Sequence, residues 1–266
     1  LGPHDEETEP VEVERTVVDC AVYLDGNRIA GDRHYDDALL EVRRLNADGR
    51  HAFVWLGLRE PSEPQMAAVA KTFDLHPIPV EDAVHAQQRP KVERYDDVLF
   101  VVLKTVHYVP HESVQTARRI AETGEIMVFV GADFVVAVRH GDHSGLSELR
   151  RDLEREHVQL QLGPCGVLQA ITRYVVEQYL DVIAPLEHDV DVVEEQTFAP
   201  RTSTGIKQIY LLKRDVVALR RAIGPLGTAL ETMTTEHADL LPIEVRRYMR
   251  DLFCLLYSSP SPRDRG

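Results

Sequence analysis

Two adjacent carboxylates, Glu81 and Asp82, stand in the stretch HPIPVEDAVHAQQRPKVERYDDVLFVVLKT, residues 76–105. Carboxylate oxygens are hard ligands, and paired acids suit a hard divalent cation. Two like charges about 4 Å apart repel by roughly 1–4 kcal/mol, depending on the dielectric. A divalent ion between them reverses that sign, so such a pair can act as an ion-dependent latch. The structural alternative is simpler: acids in the first turns of a short helix complement its dipole. A second cluster, His140-Gly141-Asp142-His143, has transition-metal ligand types, but it lacks a third separate ligand and is read as a surface loop. The row Glu177, Asp181, Glu187, Asp189, Asp191, Glu194 and Glu195 is read as the solvated face of a helix, with diffuse ion binding as the functional alternative.

Other chemistries find no support. The sequence has no G-x-x-x-x-G-K, G-x-G-x-x-G or G-x-S-x-G motif, and no Ser/His/Asp or Cys/His arrangement stands out. An enzyme is not expected. Cys20, Cys165 and Cys254 are widely spaced and form no C-x-x-C pair, which argues against a zinc knuckle or redox motif. Scattered thiols fit a reducing compartment. A net charge of −14 over 266 residues argues against nucleic acid as a partner, because phosphate contact needs concentrated Lys and Arg. It is compatible with cations or a solvated acidic surface. Apolar runs such as Val98–Leu103 and Leu252–Tyr257 are far shorter than the ~20 residues of a membrane span, and Leu1–Glu14 does not resemble a signal peptide. The chain as given is expected to be soluble.

The elements that must position Glu81 and Asp82 follow from periodicity. An acidic, disordered tail covers residues 1–14. Strands are expected at Thr16–Leu24 and Arg28–Ala30, joined by a hairpin at Asp25-Gly26. A helix follows over Asp36–Asn46, then a strand at His51–Leu56. Ser62-x-x-Gln65 is a capping-box signature opening a helix to Phe73, and Pro79–Ala86 is a short helix. Further strands are expected at Lys91–Tyr95, Val98–Val109, Val114–Thr123, Glu125–Val130 and Phe134–Arg139, with a charged helix over Ser144–Glu156. His76 is read as a cap, His85 as packed beside Arg89, and Arg89-Pro90-Lys91 as the turn into the strand, with its cations paired to acids. The first 160 residues are thus an α/β or α+β domain. Beyond them, Leu168, Ile171, Val175, Tyr179, Val182, Leu186, Val190 and Val193 mark one face of a long helix. Ile209, Leu212, Val216, Leu219, Ile223, Leu226 and Leu230 mark the seam of a second. A short link containing Pro200 makes them an antiparallel hairpin. Pro185 and Pro225 predict a kink or break in each, and a third helix starts near Pro242.

In order and text, several blocks resemble the cytosolic domain of the CorA family of magnesium channels. They are HPIPVEDAVHAQQRPKVE (76–93), Val98–Lys104, LEHDVDVVEEQTF (186–198), LLKRDVVALRRAIGPL (211–226) and Tyr248-Met249-Arg250-Asp251. The resemblance implies an α/β/α sandwich with a central mixed sheet over residues 15–160, a long helical hairpin over 161–240, and the start of a stalk helix over 241–251. Residues 252–266, LFCLLYSSPSPRDRG, lack helical period and are expected to be foreign to the native protein, not to continue the stalk. The implied whole is a homopentameric magnesium and cobalt transporter on the cytoplasmic side of the cell membrane, anchored through C-terminal helices that this sequence does not contain.

The resemblance also implies where ions bind. Asp82 and Asp251 occupy the positions of a carboxylate pair that holds Mg2+, or Co2+ or another divalent cation, between neighbouring subunits. Glu81 maps onto a second, weaker site. Thr172 stands there at the position of a family carboxylate, and a hydroxyl without charge weakens or removes that site. The implied function is ion sensing: filled sites hold the assembly closed, and emptied sites let it open. The alternatives are the cytosolic domain of a related ZntB-like zinc transporter, or a soluble binding or scaffold protein that never joins a membrane.

Overall fold

The computed structural model describes residues 16–114, 116–141, 145–198 and 206–258. The expected acidic tail, most of the link containing Pro200, Asp142 and His143 of the histidine cluster, and the end of the chain lie outside them. The chain builds one seven-stranded sheet from β1 (Val17–Leu24), β2 (Asn27–Arg28), β3 (Ala52–Arg59), β4 (Lys91–Tyr95), β5 (Val98–Tyr108), β6 (Ala121–Val130) and β7 (Phe134–His140). The strand order is β2-β1-β3-β7-β6-β5-β4. Only β3 and β7 run parallel, in register Val54 to Phe134, and every other neighbouring pair is antiparallel. The sheet is therefore mixed, as expected. Asp25 and Gly26 turn β1 into β2 with φ of 50° and 83°. The second value suits glycine, and a Cβ there would also meet Gln161 at 2.8 Å.

Side chains alternate across the sheet with the period of two that strands impose. Val54, Leu56, Phe100, Val102, Met127 and Phe129 face one core. Against them pack α1 (Tyr35–Ala47), α2 (Glu63–Phe73) and α3 (Pro77–Val84), through Leu39, Val42, Met66, Val69, Phe73 and Ala83. The alternate residues Phe53, Trp55, Val101, Leu103, Ile126 and Val128 face a second core. That core is closed by α4 (Leu146–Glu156), α5 (Pro164–Phe198), α6 (Ile206–Thr235) and α7 (Ile243–Ser258). Because both faces are covered, β3 and β5 are almost continuously apolar. The result is the α/β/α sandwich. Its second helical layer is the long hairpin itself: α5 packs along β5, α6 against β4 and β5, and a single cluster runs from Ala21 to Leu252. The hairpin thus packs on the sheet as the second helical layer of the sandwich.

Three expectations need correction. Val114–Thr123 is not a strand. Residues 110–114 and 116–120 lie outside any strand, and one strand, β6, runs from Ala121 through Gly124 to Val130. Val114 and Ile120 are buried all the same: they pack into the core from this segment, so their apolar, β-branched character served packing and not pairing. Of the kink or break expected at each proline, the break does not occur: Pro185 lies inside α5 and Pro225 inside α6. Burial of Val182, Leu186, Ala222 and Leu226 on either side holds each helix through the missing bond. Finally, α7 does not stop at Asp251 but continues to Ser258. Val245, Met249 and Leu252 are buried at steps of four and three, so Leu252 extends the face begun upstream. Each such side chain contributes about 1.5–3 kcal/mol on burial.

Candidate cation site

The acidic helix α3 is fixed at both ends and along one face. His76 caps it, its ring accepting from the Ile78 N–H at 3.3 Å, and stacks on Tyr95 at 4.7 Å between centroids. Pro79 and Ala83, four residues apart, are its buried positions. That spacing turns the intervening pair outward: Glu81 is exposed and Asp82 half-buried. The helix ends at His85, whose N–H donates to the Glu81 carbonyl at 3.1 Å. The His85 ring is exposed, 3.8 Å from Glu63. His140, the described histidine of the 140–143 cluster, is committed to the Ala83 carbonyl at 2.8 Å.

Asp82 already has a cation. Lys91, the first residue of β4, places its ammonium 2.8 Å from Asp82 Oδ2 and 2.9 Å from Glu93. Partial burial alone would lower the Lys91 pKa; the hydrogen bonds to the two carboxylates outweigh it and raise the value above normal. The expected pairing of this turn with acids therefore holds for Lys91. It does not hold for Arg89, which is exposed and has no carboxylate partner among the described residues.

Asp251 lies on the exposed side of α7, opposite Val245, Met249 and Leu252. Thr172 is fully buried in α5, and its hydroxyl donates to the Leu168 carbonyl at 2.8 Å. It faces the core and presents no oxygen to an ion. The helices carrying Asp82 and Asp251 pack on opposite faces of the sheet, α3 through Ala83 and α7 through Val245 and Met249. A single copy does not gather these residues, and among the described residues no group of three His, Cys, Asp or Glu side chains is arranged to hold a metal.

Sequence reasoning missed the acids that do have ligands. Asp189 belongs in the acidic row by text, yet it is 4 % exposed. It accepts from the Tyr108 hydroxyl at 2.9 Å and lies 3.2 Å from His111 Nε2. Burial first, and then this carboxylate, push the Tyr108 pKa up to about 12. Asp215 of α6 is equally buried and accepts from the Ile120 and Ala121 amides, at 2.9 and 3.2 Å, and from Arg214 at 2.8 Å. Burial would raise its pKa; Arg214 and the amides outweigh burial and hold it below the usual carboxylate value. Together Asp189 and Asp215 tie the 109–121 loop to the two long helices. A signal for both was present. Leu186, Asp189 and Val193, like Leu212, Asp215 and Leu219, are spaced by three and four, which puts each acid on a buried helical seam.

Glu125 is the third buried acid. It accepts from the Gln87 and Gln88 amides at 2.5 and 3.2 Å and pairs with Lys104. A cavity of about 260 Å³ between α4 and the sheet is lined by Asp19, Arg28, Trp55, Arg150 and Glu154. Its acids are already taken, Asp19 by Arg28 and Arg150 and Glu154 by Arg28, and Arg150 stacks on Trp55 at 4.0 Å. This network holds the layers together and leaves no carboxylate for an ion.

Residues 50–257 match the family model described as CorA-like Mg2+ transporter protein. The chain belongs to the CorA-like family. Among curated relatives, this CorA-like chain is 25% identical over 202 residues to the putative metal ion transporter YfjQ of Bacillus subtilis, covering 76% of this chain and 60% of the relative. It is 23% identical over 188 residues to the cobalt/magnesium transport protein CorA of Thermotoga maritima, covering 70% and 51%. The CorA-like chain thus spans between half and two thirds of the length of these relatives. Its fold matches the soluble domain of CorA from Methanocaldococcus jannaschii with a TM-score of 0.68 at 14% identity, over 91% of this chain and 89% of that one. No described helix of the CorA-like chain is long and apolar enough to cross a membrane. The family match runs six residues past Asp251, in step with the continuous α7.

Proposed function

We propose that this chain is the ion-sensing, cytosolic part of a CorA-like divalent-cation transporter, and that magnesium is its ion. The reading rests on family membership and on one geometric observation: Asp82 and Asp251 are surface carboxylates on opposite faces of one sandwich. Neither completes a site within its own chain, so a cation that uses both joins two copies. Magnesium suits such a site because it retains water and needs few direct carboxylates. Glu81 lies beside the pair, exposed. With the Thr172 hydroxyl held inside α5, the second, weaker site around Glu81 lacks a ligand, and Asp82 and Asp251 remain the principal pair.

Lys91 gives the site a resident competitor. With the ion absent, its ammonium neutralises Asp82; with the ion bound, Asp82 exchanges a monovalent partner for a divalent one. The closed assembly then binds magnesium more tightly than the open one, and the ion shifts the population toward closure. Association in a homopentamer draws support from α6, where Ile206, Ile209, Tyr210 and Val216 are apolar and exposed. Such a stripe is ordinarily covered by a partner.

The test is limited proteolysis of the intact-length transporter in membranes, with and without magnesium. Magnesium is expected to protect the wild type, and Asp82→Ala and Asp251→Ala are each expected to remove that protection. Unchanged protection in Asp82→Ala would exclude the residue as a ligand. Calorimetry with magnesium and with zinc, on the same protein, separates a magnesium sensor from a zinc-selective relative.

A further inference from the structure

One surface runs against the charge of the rest. The chain carries a net −14, yet a groove of about 980 Å³ between the 87–89 turn, β5 and the middle of α6 is lined by four cations and no acid. The cations are Arg89, Lys104, Arg220 and Arg221, with Gln87 and Gln88 beside them. We propose that this groove binds a phosphate-bearing small anion, a polyphosphate either free or carried on a nucleoside. The inference is independent of the cation site and goes beyond ion sensing.

Three observations carry it. First, the arginines carry no ion pair among the described residues. Arg28, Arg33, Arg94, Arg150 and Arg214 elsewhere are each paired with a carboxylate, whereas Arg89, Arg220 and Arg221 have no ion pair among the described residues. Three guanidinium groups around one space, without an ion pair among the described residues, repel each other, and an anion of high charge density relieves that repulsion. Their planar donor forks match phosphate oxygens in pairs.

Second, the wall that carries Arg89 is held in place. Gln87 has φ of 94°, an unusual value for a residue with a side chain. It is held there by the buried Glu125 carboxylate, which takes the N–H groups of both Gln87 and Gln88. The same carboxylate neutralises Lys104 from beneath, so the net positive charge of the groove is that of the three arginines. Third, α6 offers a complementary acceptor. Pro225 has no N–H, so the Arg221 carbonyl loses the donor that a regular helix would supply. With Val217, Ala218 and Pro225 as apolar floor, the groove combines donors for phosphate, one acceptor for a hydroxyl and a surface for a ring. Its volume is at the upper end of the ~300–1,000 Å³ of small-molecule sites.

The test is isothermal titration calorimetry of the full chain in EDTA at low ionic strength, with sodium triphosphate, ATP and sodium sulfate as probes. Triphosphate and ATP are expected to bind and sulfate not. Arg220→Gln combined with Arg221→Gln is expected to weaken binding at least about tenfold, and the Lys pair at the same positions to retain part of it. Arg155→Gln, an exposed arginine on α4, is the control and leaves binding unchanged. Tighter binding of ATP than of triphosphate assigns the floor to a nucleoside; equal binding assigns the site to the phosphates alone. Either supports the proposal. Absence of heat with both phosphates, unchanged affinity in the double variant, or an equal loss in the Arg155 control overturns it. So does sedimentation showing that the double variant changes oligomer size without added anion, since the groove then belongs to a contact with a second copy.

Discussion

The buried and the surface carboxylates of this chain divide the work of an acidic protein between them. Glu125, Asp189 and Asp215 are each about 5 % exposed or less. Each is surrounded by donors from its own chain: amides, a hydroxyl, an imidazole, a lysine or an arginine. Their oxygens hold loops to helices. Glu81 and Asp251 are exposed, and Asp82 has a lysine within reach. A buried carboxylate must be satisfied by its own fold or it destabilises that fold; only acids on the surface keep oxygens available to an ion. The text of the sequence does not separate the two sets, but the side of the helix on which each acid falls does.

Four measurements break or sharpen that division. The largest effect is expected for Asp215→Ala, which strands two amides and Arg214. Urea denaturation should show a loss of about 3 kcal/mol, and magnesium affinity per folded molecule should not change. Asp189→Asn keeps a polar group beside Tyr108 but removes the charge facing His111, and should lose about 1–2 kcal/mol by the same assay. Acid titration adds a sign. The folded-state pKa of Asp215 is depressed, so its contribution is full above about 3.9 and is lost as pH falls through the folded value. Asp215→Asn should therefore flatten the acid limb of the wild-type stability curve, and an unchanged limb would remove Asp215 from the buried set. At the small end, Lys91→Met and Asp251→Asn should shift stability by less than about 1 kcal/mol. They should part on magnesium: Lys91→Met frees Asp82 and tightens binding by the intact assembly, while Asp251→Asn weakens it. A large stability loss in Asp251→Asn would place that acid with the buried ones.

Much of this arrangement was legible beforehand, and the errors share a cause. Periodicity found the sheet strands, both long helices and the capped α2, whose Gln65 side chain takes the Ser62 N–H at 2.9 Å. On α6 it placed Leu212, Leu219, Leu226 and Leu230 on the buried side, as observed, and missed at the positions between them. Val216 was assigned inward, yet it is 41 % exposed while Asp215 is buried; likewise Ile209 and Ile223 gave way to Leu211 and Ala222. Counting apolar residues favours the larger side chain of two neighbours. An acid that caps a loop, or an alanine beside a close-packed strand, outranks it in the folded chain. Residues 110–120 misled in the opposite way, with strand-like composition but core-filling use. For the proposed site, residue type singled out Glu81 and Asp82 and the resemblance alone supplied Asp251, but no pattern in the sequence announces Lys91 as the partner of Asp82. That contact depends on the turn through Gln87, which Glu125 fixes from 38 residues away.

The placement of Asp82 and Asp251 on opposite faces of the sheet has a consequence for symmetry. A two-fold pair presents the same surface twice, so one face of each copy would meet its partner and the other would remain turned away. A cation held between Asp82 of one copy and Asp251 of the next pairs unlike surfaces and leaves one free half-site at each end of the row. Such a head-to-tail contact either propagates without limit or closes on itself by rotation. In a closed ring every half-site is filled, and the number of ions equals the number of chains.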